Sequence, residues 1–423
     1  MDAQERANAF RCAACDGTHG SGMGLVAALT VLPLLMNRLG AGKVELGLLA
    51  AVATAGFVVG QPFGVFLLGR RRRTKRFFIR WVLSLWVPVH LAMAGAIWFL
   101  SRSHPSLCRH AVLLLFAVVA VGDGLAIPVW VDWQSSLFRR ESRGRAIGLI
   151  AGAWALGSGL GSLGGGKLQA SFGFPFNYTL LFLLASVLFA ASLSFMRRVQ
   201  EPEWFAAGGP SVRVEEMLRF VGESLRDGNF RSYLVSRMLL ALGGGAAAFY
   251  AVHFQSAEGG GLGTGTVIAL GSLTALSQAA SSWLLGHVGD RIGHKTGVAV
   301  GSLAQVAAIA VAYVGQGAWA CAACFALLGL SWSAGWVSHV NMLLETCPHD
   351  SRVAHLALSN SIVGVFWAVV PLATGWLMER VGVRPGIGIT MAPAVLGVLW
   401  LALAVREPRS VAGGTAAAGG VGV

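Results

Sequence analysis

Residues Gly286–Lys295 read GHVGDRIGHK and separate two long apolar runs of the chain. The small residues Gly286 and Gly289 are expected to let neighbouring helices approach each other closely. The carboxylate of Asp290 suits the positive end of a nearby helix dipole. Basic residues beside it are typical of loops that stay on the cytoplasmic side of a membrane. The stretch therefore predicts a tight, charged turn between two membrane spans.

The composition of the 423-residue chain also indicates a membrane protein. It is 55% hydrophobic and 12% charged, whereas soluble proteins average about 25% charged residues. Apolar runs suited to crossing a bilayer, which takes about 20 residues each, recur along the sequence. We predict an all-α membrane protein with twelve transmembrane helices, at Met23–Met36 with its flanks, Leu46–Leu68, Trp81–Leu100, Ala111–Val131, Ala146–Leu163, Tyr178–Phe195, Tyr233–Phe254, Thr264–Leu285, Val298–Val314, Trp319–Leu344, Ala354–Leu377 and Gly386–Val405.

A weak internal repeat relates the two halves of the chain. An offset of 209 residues places Ser142–Arg143 over Ser351–Arg352, and Gly166 over Gly375. Parallel repeats of this kind occur in secondary transporters. The repeat predicts two pseudo-symmetric six-helix bundles. The expected domains are an N-terminal bundle (residues 1–199), a cytoplasmic connector with an amphipathic helix (200–230), a C-terminal bundle (231–407) and a disordered tail (408–423).

The net charge of +13 does not indicate nucleic-acid binding, because most basic residues fall in loops on one predicted side of the membrane. Such a bias sets the orientation of a membrane protein. No cleavable signal peptide is visible at the start of the chain. We expect a multi-pass protein of the cytoplasmic (inner) membrane, surrounded by lipid and monomeric, with both termini in the cytoplasm.

The stretch Gly286–Lys295, which follows the eighth span in the second half, strongly resembles the loop signature of the major facilitator superfamily, a class of secondary transporters. The first half carries a degraded copy, in which Leu68 replaces the acid. The resemblance implies that Asp290 contacts the N-terminal end of the eleventh span near Arg352 and holds the cytoplasmic side closed. The implied gate residues are Gly286, Gly289, Asp290, Arg291, Gly293, Lys295, Arg143 and Arg352.

The same resemblance implies that spans one, four, seven and ten line a central cavity. In the fourth span, helical spacing places Asp123, Trp130 and Gln134 on one face. The offset of 209 then places Trp332 opposite Asp123, and His339 opposite Trp130. Trp336 is expected on the same face of the tenth span as Trp332 and His339. An acid, a histidine and several tryptophans suit an amphipathic or cationic compound.

Four other ionisable residues receive different predictions. We expect Asp132 to pair with loop arginines, and Arg237 to extend its side chain to the membrane interface. Asp16 and His19 precede the predicted first span and are expected at the cytoplasmic mouth.

We therefore expect a transporter of a small organic solute, with proton coupling through Asp123 or His339. Efflux of an amphipathic compound is the first interpretation. Uptake of a sugar or other small metabolite, and a non-transporting sensor on the same fold, are the alternatives. No catalytic constellation appears, and no cofactor or metal is predicted, because Cys12 and Cys15 supply only half of a zinc site. The glycine-rich Gly159–Gly164 lies in an apolar span and favours close helix packing.

We predict that Asp290→Ala strongly reduces transport in a proteoliposome flux assay, because it removes the acid of the gate. Changing Leu68 is expected to have a smaller effect. Transport by Asp290→Ala at the wild-type rate would contradict the gate and leave Asp290 as a helix cap, a role worth about 1 kcal/mol of stability.

Overall fold

The computed structural model describes residues 1–68, 74–202, 225–346 and 352–407, and the chain is helical in all of these ranges. The connector helix, the tail and the basic run Arg70–Arg73 fall outside the described residues. Each predicted span is present as a helix. Their bounds are Ala3–Leu25 and Val31–Arg38 (span 1), Lys43–Leu68 (2), Thr74–Trp81, Val82–Trp86 and Val87–Leu100 (3), Pro105–Ser136 (4), Arg140–Ser171 (5), Phe176–Arg197 (6), Gly228–Gly244, Gly245–Phe249 and Tyr250–Gln255 (7), Thr264–Ile292 (8), His294–Val314 (9), Gly317–Trp336 and Ser338–Thr346 (10), Arg352–Val381 (11) and Val383–Ala404 (12).

Within the described residues, ten helical stretches are long and apolar enough to cross a bilayer, and they correspond to spans 3–12. The fold is therefore that of an all-α membrane protein, as predicted. The helices pack in equivalent pairs in the two halves, with spans 1 and 5 matched by 7 and 11, spans 2 and 4 by 8 and 10, and spans 3 and 6 by 9 and 12. This pairing produces two pseudo-symmetric bundles.

Span 1 begins at Ala3, so the prediction that it begins near Met23 is wrong. A capping box starts the helix, in which the Glu5 backbone N–H donates to the Asp2 carboxylate at 2.8 Å and the Asp2 N–H to Glu5 at 3.1 Å. The first part of this helix has too little hydrophobic character to be recognised as a span. Its small residues pack against protein, so they need not be apolar enough to face lipid. A side chain at Gly20 would collide with the backbone of span 5 at Trp154, and one at Gly17 would press on Ala153.

The glycines of span 5 confirm the prediction of close packing. A Cβ on Gly161 would meet the backbone of Ser21 in span 1, and one on Gly159 would meet Leu276 in span 8. Ser162 adds a hydrogen bond from its hydroxyl to the carbonyl of Gly24, at 3.1 Å. Span 5 therefore joins span 1 of its own bundle to span 8 of the other.

The stretch Gly286–Lys295 is mostly helix, which corrects the expectation of a turn. Span 8 continues to Ile292, and the direction changes at Gly293, where the φ of 97° favours glycine. Gly286 faces open space, so it does not bring two helices together. The Lys295 amine donates to the carbonyl of Val405 at 2.7 Å.

Of the other predicted gate residues, Arg291 and Arg143 are exposed, and Gly289 packs against the ring of His294. The side chains of Asp290 and Arg352 lie outside the described residues, so the contact between them stays a prediction.

The start of span 1 and the end of span 12 lie at the same end of the helices, which we call the terminal face. The bundles meet at the other end, the opposite face. There, Gly166 of span 5 contacts Gly265 of span 8, and Gly47 of span 2 contacts Pro371 of span 11. The backbone N–H of Lys43 also donates to the Glu379 carboxylate across the interface, at 2.7 Å. These contacts close the opposite face.

The polar contacts that the described residues form at the terminal face join elements of one bundle. In the N-terminal half, the Asn8 side chain donates to the Gln200 carbonyl at 2.7 Å. In the C-terminal half, the Arg406 N–H donates to the Asn229 side chain at 2.7 Å. The tight contacts between bundles thus lie toward the opposite face.

We predict that Gly166→Leu opens the opposite face, because the new side chain would collide with Gly265. Spin labels at the exposed positions Ser103 and Val381 would report an increased separation by pulsed electron resonance. Gly148→Leu, on the same helix but facing open space, is the matched control. An unchanged distance distribution in Gly166→Leu would contradict the assigned closure.

Candidate binding cavity

A cavity of about 340 Å³ lies in the N-terminal bundle. Spans 1 to 6 all contribute side chains to it. Aromatic rings dominate the lining, together with two carboxylates and one imidazole. Its lining residues are Cys15, Asp16, His19, Met23, Phe57, Phe78, Trp81, Val82, Trp86, Asp123, Ala126, Ile127, Trp130, Trp154, Ser192, Leu193 and Met196.

Asp123 and Trp130 of span 4 both line this cavity, as their spacing predicts. Trp130 packs edge-on against Phe78 of span 3, with ring centroids 4.9 Å apart. Asp123 retains partial exposure even though protein surrounds it, because its carboxylate faces the cavity. Trp86 is its hydrogen-bonding neighbour.

Gln134 does not line either cavity; it is buried, and its amide N–H donates to the Asp16 carboxylate at 3.1 Å. Asp16 and His19 lie on span 1 and line the cavity directly. The prediction that these two residues precede the first span is therefore wrong, for the same reason that the start of span 1 was misplaced.

Trp86 is the centre of an aromatic cluster that joins spans 1, 3 and 6. Its indole contacts the ring of His19 edge-on at 4.8 Å and stacks on His90 at 5.4 Å. The Phe189 ring contacts all three, at 4.7 to 5.0 Å. Trp86 ends the π-helical turn Val82–Trp86, a distortion that often occurs at functional sites.

A second cavity of about 160 Å³ adjoins the first. The two share the side chains of Met23, Phe57, Trp86 and Asp123. Apart from His90, the residues that belong to the second cavity alone are apolar, including Phe116 and Phe182. Asp123 thus lies between a cavity with acidic groups and an almost wholly apolar extension.

The residues predicted on span 10 do not line either cavity. Trp332 packs against the main apolar core, and Trp336 is 62% exposed. His339 is only 4% exposed, and its Nδ1 is 2.6 Å from the Tyr233 hydroxyl. Span 10 is interrupted at Val337, so the helical spacing used for the prediction does not carry across that residue. The proposed roles of these three residues stay predictions.

Arg237 differs from expectation, whereas the predicted pairing of Asp132 stays a prediction, because several loop arginines lie outside the described residues. Arg237 does not extend to the membrane interface, because its guanidinium donates inward to the Ser359 hydroxyl of span 11 at 2.8 Å. Asp132 is exposed and forms no ion pair with any residue that the structure describes.

Sequence reasoning missed the role of span 3, which contributes Trp81 and Trp86 to the cavity. From Val82 onward span 3 is apolar on almost every side, so no hydrophobic periodicity marks the face that carries Trp86. The spacing of five between Trp81 and Trp86 fits one face only because of the π-helical turn.

Cys12 and Cys15 are both buried in span 1. Within the described ranges, no group of three or more potential metal ligands comes together.

Solved structures of transport proteins share this fold. A bacterial homologue of the human lysosomal transporter Spinster, inward-facing and unoccupied, has 15% identity and a TM-score of 0.71, with 97% of this chain and 98% of that chain covered. A mutant of the nucleoside transporter NupG has 10% identity and a TM-score of 0.73, with 94% and 100% covered. At sequence identities this low, the similarity shows a shared fold and not a shared substrate. No curated protein matches the sequence.

The sequence itself matches a family profile over nearly its whole length. The profile of the Major Facilitator Superfamily matches residues 17–275 and again residues 234–421. The two overlapping matches extend across both bundles. The chain therefore belongs to the Major Facilitator Superfamily of membrane transporters.

Proposed function

We propose that this transporter exports an amphipathic organic cation in exchange for protons, using the cavity of the N-terminal bundle. The observation that carries the proposal is the position of Asp123 between the two cavities, beside Trp86. A carboxylate in this setting attracts a cation, and the surrounding rings add cation–π attraction. Asp16 supplies a second carboxylate in the larger cavity.

The shape of the paired cavities supports an amphipathic compound. The charged group fits the acidic cavity of about 340 Å³, and an apolar portion fits the adjoining 160 Å³. Burial of apolar surface contributes about 25 cal/mol per Å² to such binding. Asp123 lies where the two portions of the ligand would meet.

The lining favours this substrate class over sugars. A sugar site requires several neutral polar groups for its hydroxyls, because unpaired hydroxyls are costly to bury. Among the described lining residues of the larger cavity, Ser192 is the neutral hydroxyl or amide side chain that contributes directly. The aromatic residues offer rings for stacking but few hydrogen-bonding groups.

Exchange for protons is expected because a single carboxylate, that of Asp123, would bind either a proton or the organic cation. A proton and an organic cation compete for Asp123, so binding of one releases the other. The repeated rocking of two bundles around a site then exposes it to either side of the membrane. Because basic loops indicate that the terminal face is cytoplasmic, closure of the opposite face corresponds to an inward-facing form.

We predict that Asp123→Asn weakens binding of tetraphenylphosphonium by about 2 kcal/mol or more, roughly thirtyfold in Kd, because the counter-charge is lost. Binding to purified protein is measured by tryptophan fluorescence. Asp132→Asn, an exposed acid on the same span, is the control. The variant at position 123 is also expected to lose cation accumulation driven by a pH gradient in proteoliposomes. Unchanged gradient-driven accumulation would reject proton coupling through this residue.

We predict that Trp86→Phe lowers cation affinity by about 0.5 to 2 kcal/mol. Phenylalanine keeps a ring in the cluster but lacks the indole N–H and has a weaker cation–π attraction. The matched control is Trp319→Phe, since Trp319 is 90% exposed at the start of span 10. Equal tetraphenylphosphonium affinities for wild type and Trp86→Phe would remove Trp86 from the binding site.

A further inference from the structure

Arg237 places a guanidinium inside the C-terminal bundle. It lies nine residues after Gly228, about 14 Å along span 7, and keeps partial exposure to the interior space. One hydrogen bond, from Nη1 to the Ser359 hydroxyl, connects it to the part of the chain that the structure describes. No described carboxylate lies within ion-pairing distance of it.

A guanidinium carries five N–H donors, so most of those on Arg237 have no protein acceptor among the described residues. A cation without a counter-ion is expensive to hold within a membrane protein, and such residues usually serve a function. Packing alone does not account for Arg237, because leucine or methionine would fill the space without that cost. A bound anion would supply the partner that the described residues lack.

His339 supplies a second, independent sign of a ligand. Its side chain is 4% exposed, and its Nε2 has no partner at hydrogen-bonding distance among the described residues, with the Asn360 side chain as its polar neighbour. When the proton is on Nε2, Nδ1 accepts from the Tyr233 hydroxyl at 2.6 Å and the Nε2–H remains unused. The ring also lies within electrostatic range of Arg237. Two neighbouring groups thus offer unused donors.

We infer that Arg237 and His339 form a second binding site, which takes the carboxylate or phosphate group of a small anion. The planar guanidinium binds two oxygens of such a group side by side. Ser359, whose side chain is fully buried, holds the guanidinium in position through its hydroxyl. The site does not depend on the proposed cation export, since neither Arg237 nor His339 lines the acidic cavities.

Carboxylate and phosphate oxygens present the same chemistry to Arg237. The anionic group either belongs to an organic compound or is a free inorganic ion. Benzoate represents the first source and inorganic phosphate the second. Comparing the two probes at equal ionic strength, with chloride as the reference, separates them.

The test measures thermal unfolding of the purified full-length protein in detergent with each probe. Benzoate or phosphate is expected to raise the Tm of the wild type above the chloride reference. In Arg237→Gln the apparent Kd is expected to weaken at least tenfold, whereas Arg237→Lys retains part of the affinity as a point charge. Ser359→Ala tests the positioning role and should weaken binding less than Arg237→Gln.

Two further measurements distinguish a binding role from a structural one. Without anion, Arg237→Gln is expected to be at least as stable as the wild type, because an unpaired internal charge is removed. The affinity of Arg237→Gln for tetraphenylphosphonium should stay unchanged. Asp123→Asn, in contrast, should weaken binding of this cation and leave anion binding unchanged. A lower Tm of Arg237→Gln without anion assigns Arg237 to structure and overturns the inference. So does the absence of any Tm increase with either anion in the wild type, or an equal increase in Arg237→Gln.

Discussion

The cost of holding a carboxylate inside an apolar helix bundle constrains the rest of this structure. A charge in such surroundings requires dipoles, hydrogen bonds or a counter-ion. Asp123 receives a hydrogen bond from Trp86, and Trp86 is held in place by rings from spans 1 and 6. The π-helical turn of span 3 gives Trp86 this position. The described residues supply only part of the stabilisation that a carboxylate needs, and the cation of the proposed function would supply the rest.

Much of the fold was predictable because length and apolarity directly determine which segments cross a bilayer. Spans 2, 6, 7 and 9–12 lie within about five residues of the helices observed at both ends. Span 1 was misplaced because apolarity measures contact with lipid, whereas Gly17 and Gly161 belong to a contact between span 1 and span 5. The charged stretch after Leu285 was read as a turn because charge usually marks the end of a span, yet the helix continues to Ile292.

The site was only partly predictable for a related reason. Asp123, Trp130 and Gln134 were found together because span 4 is one uninterrupted helix with a regular period. Trp332 and His339 were not, because the break at Val337 separates them. No sequence pattern marks Trp86, because the part of span 3 from Val82 onward is apolar on almost every side. A regular helix therefore preserves information about which residues share a face, whereas local breaks and π-helical turns remove it.

Lys295 connects two ends of the C-terminal bundle that are far apart in sequence. Its amine donates to the carbonyl of Val405, and its backbone N–H donates to the Glu407 carboxylate at 3.1 Å. The carbonyls at the end of span 12 have no partners within their own helix, so the lysine supplies the cap that they lack. The junction between spans 8 and 9 is consequently tied to the end of span 12, so neither segment can shift along the membrane normal without breaking these hydrogen bonds.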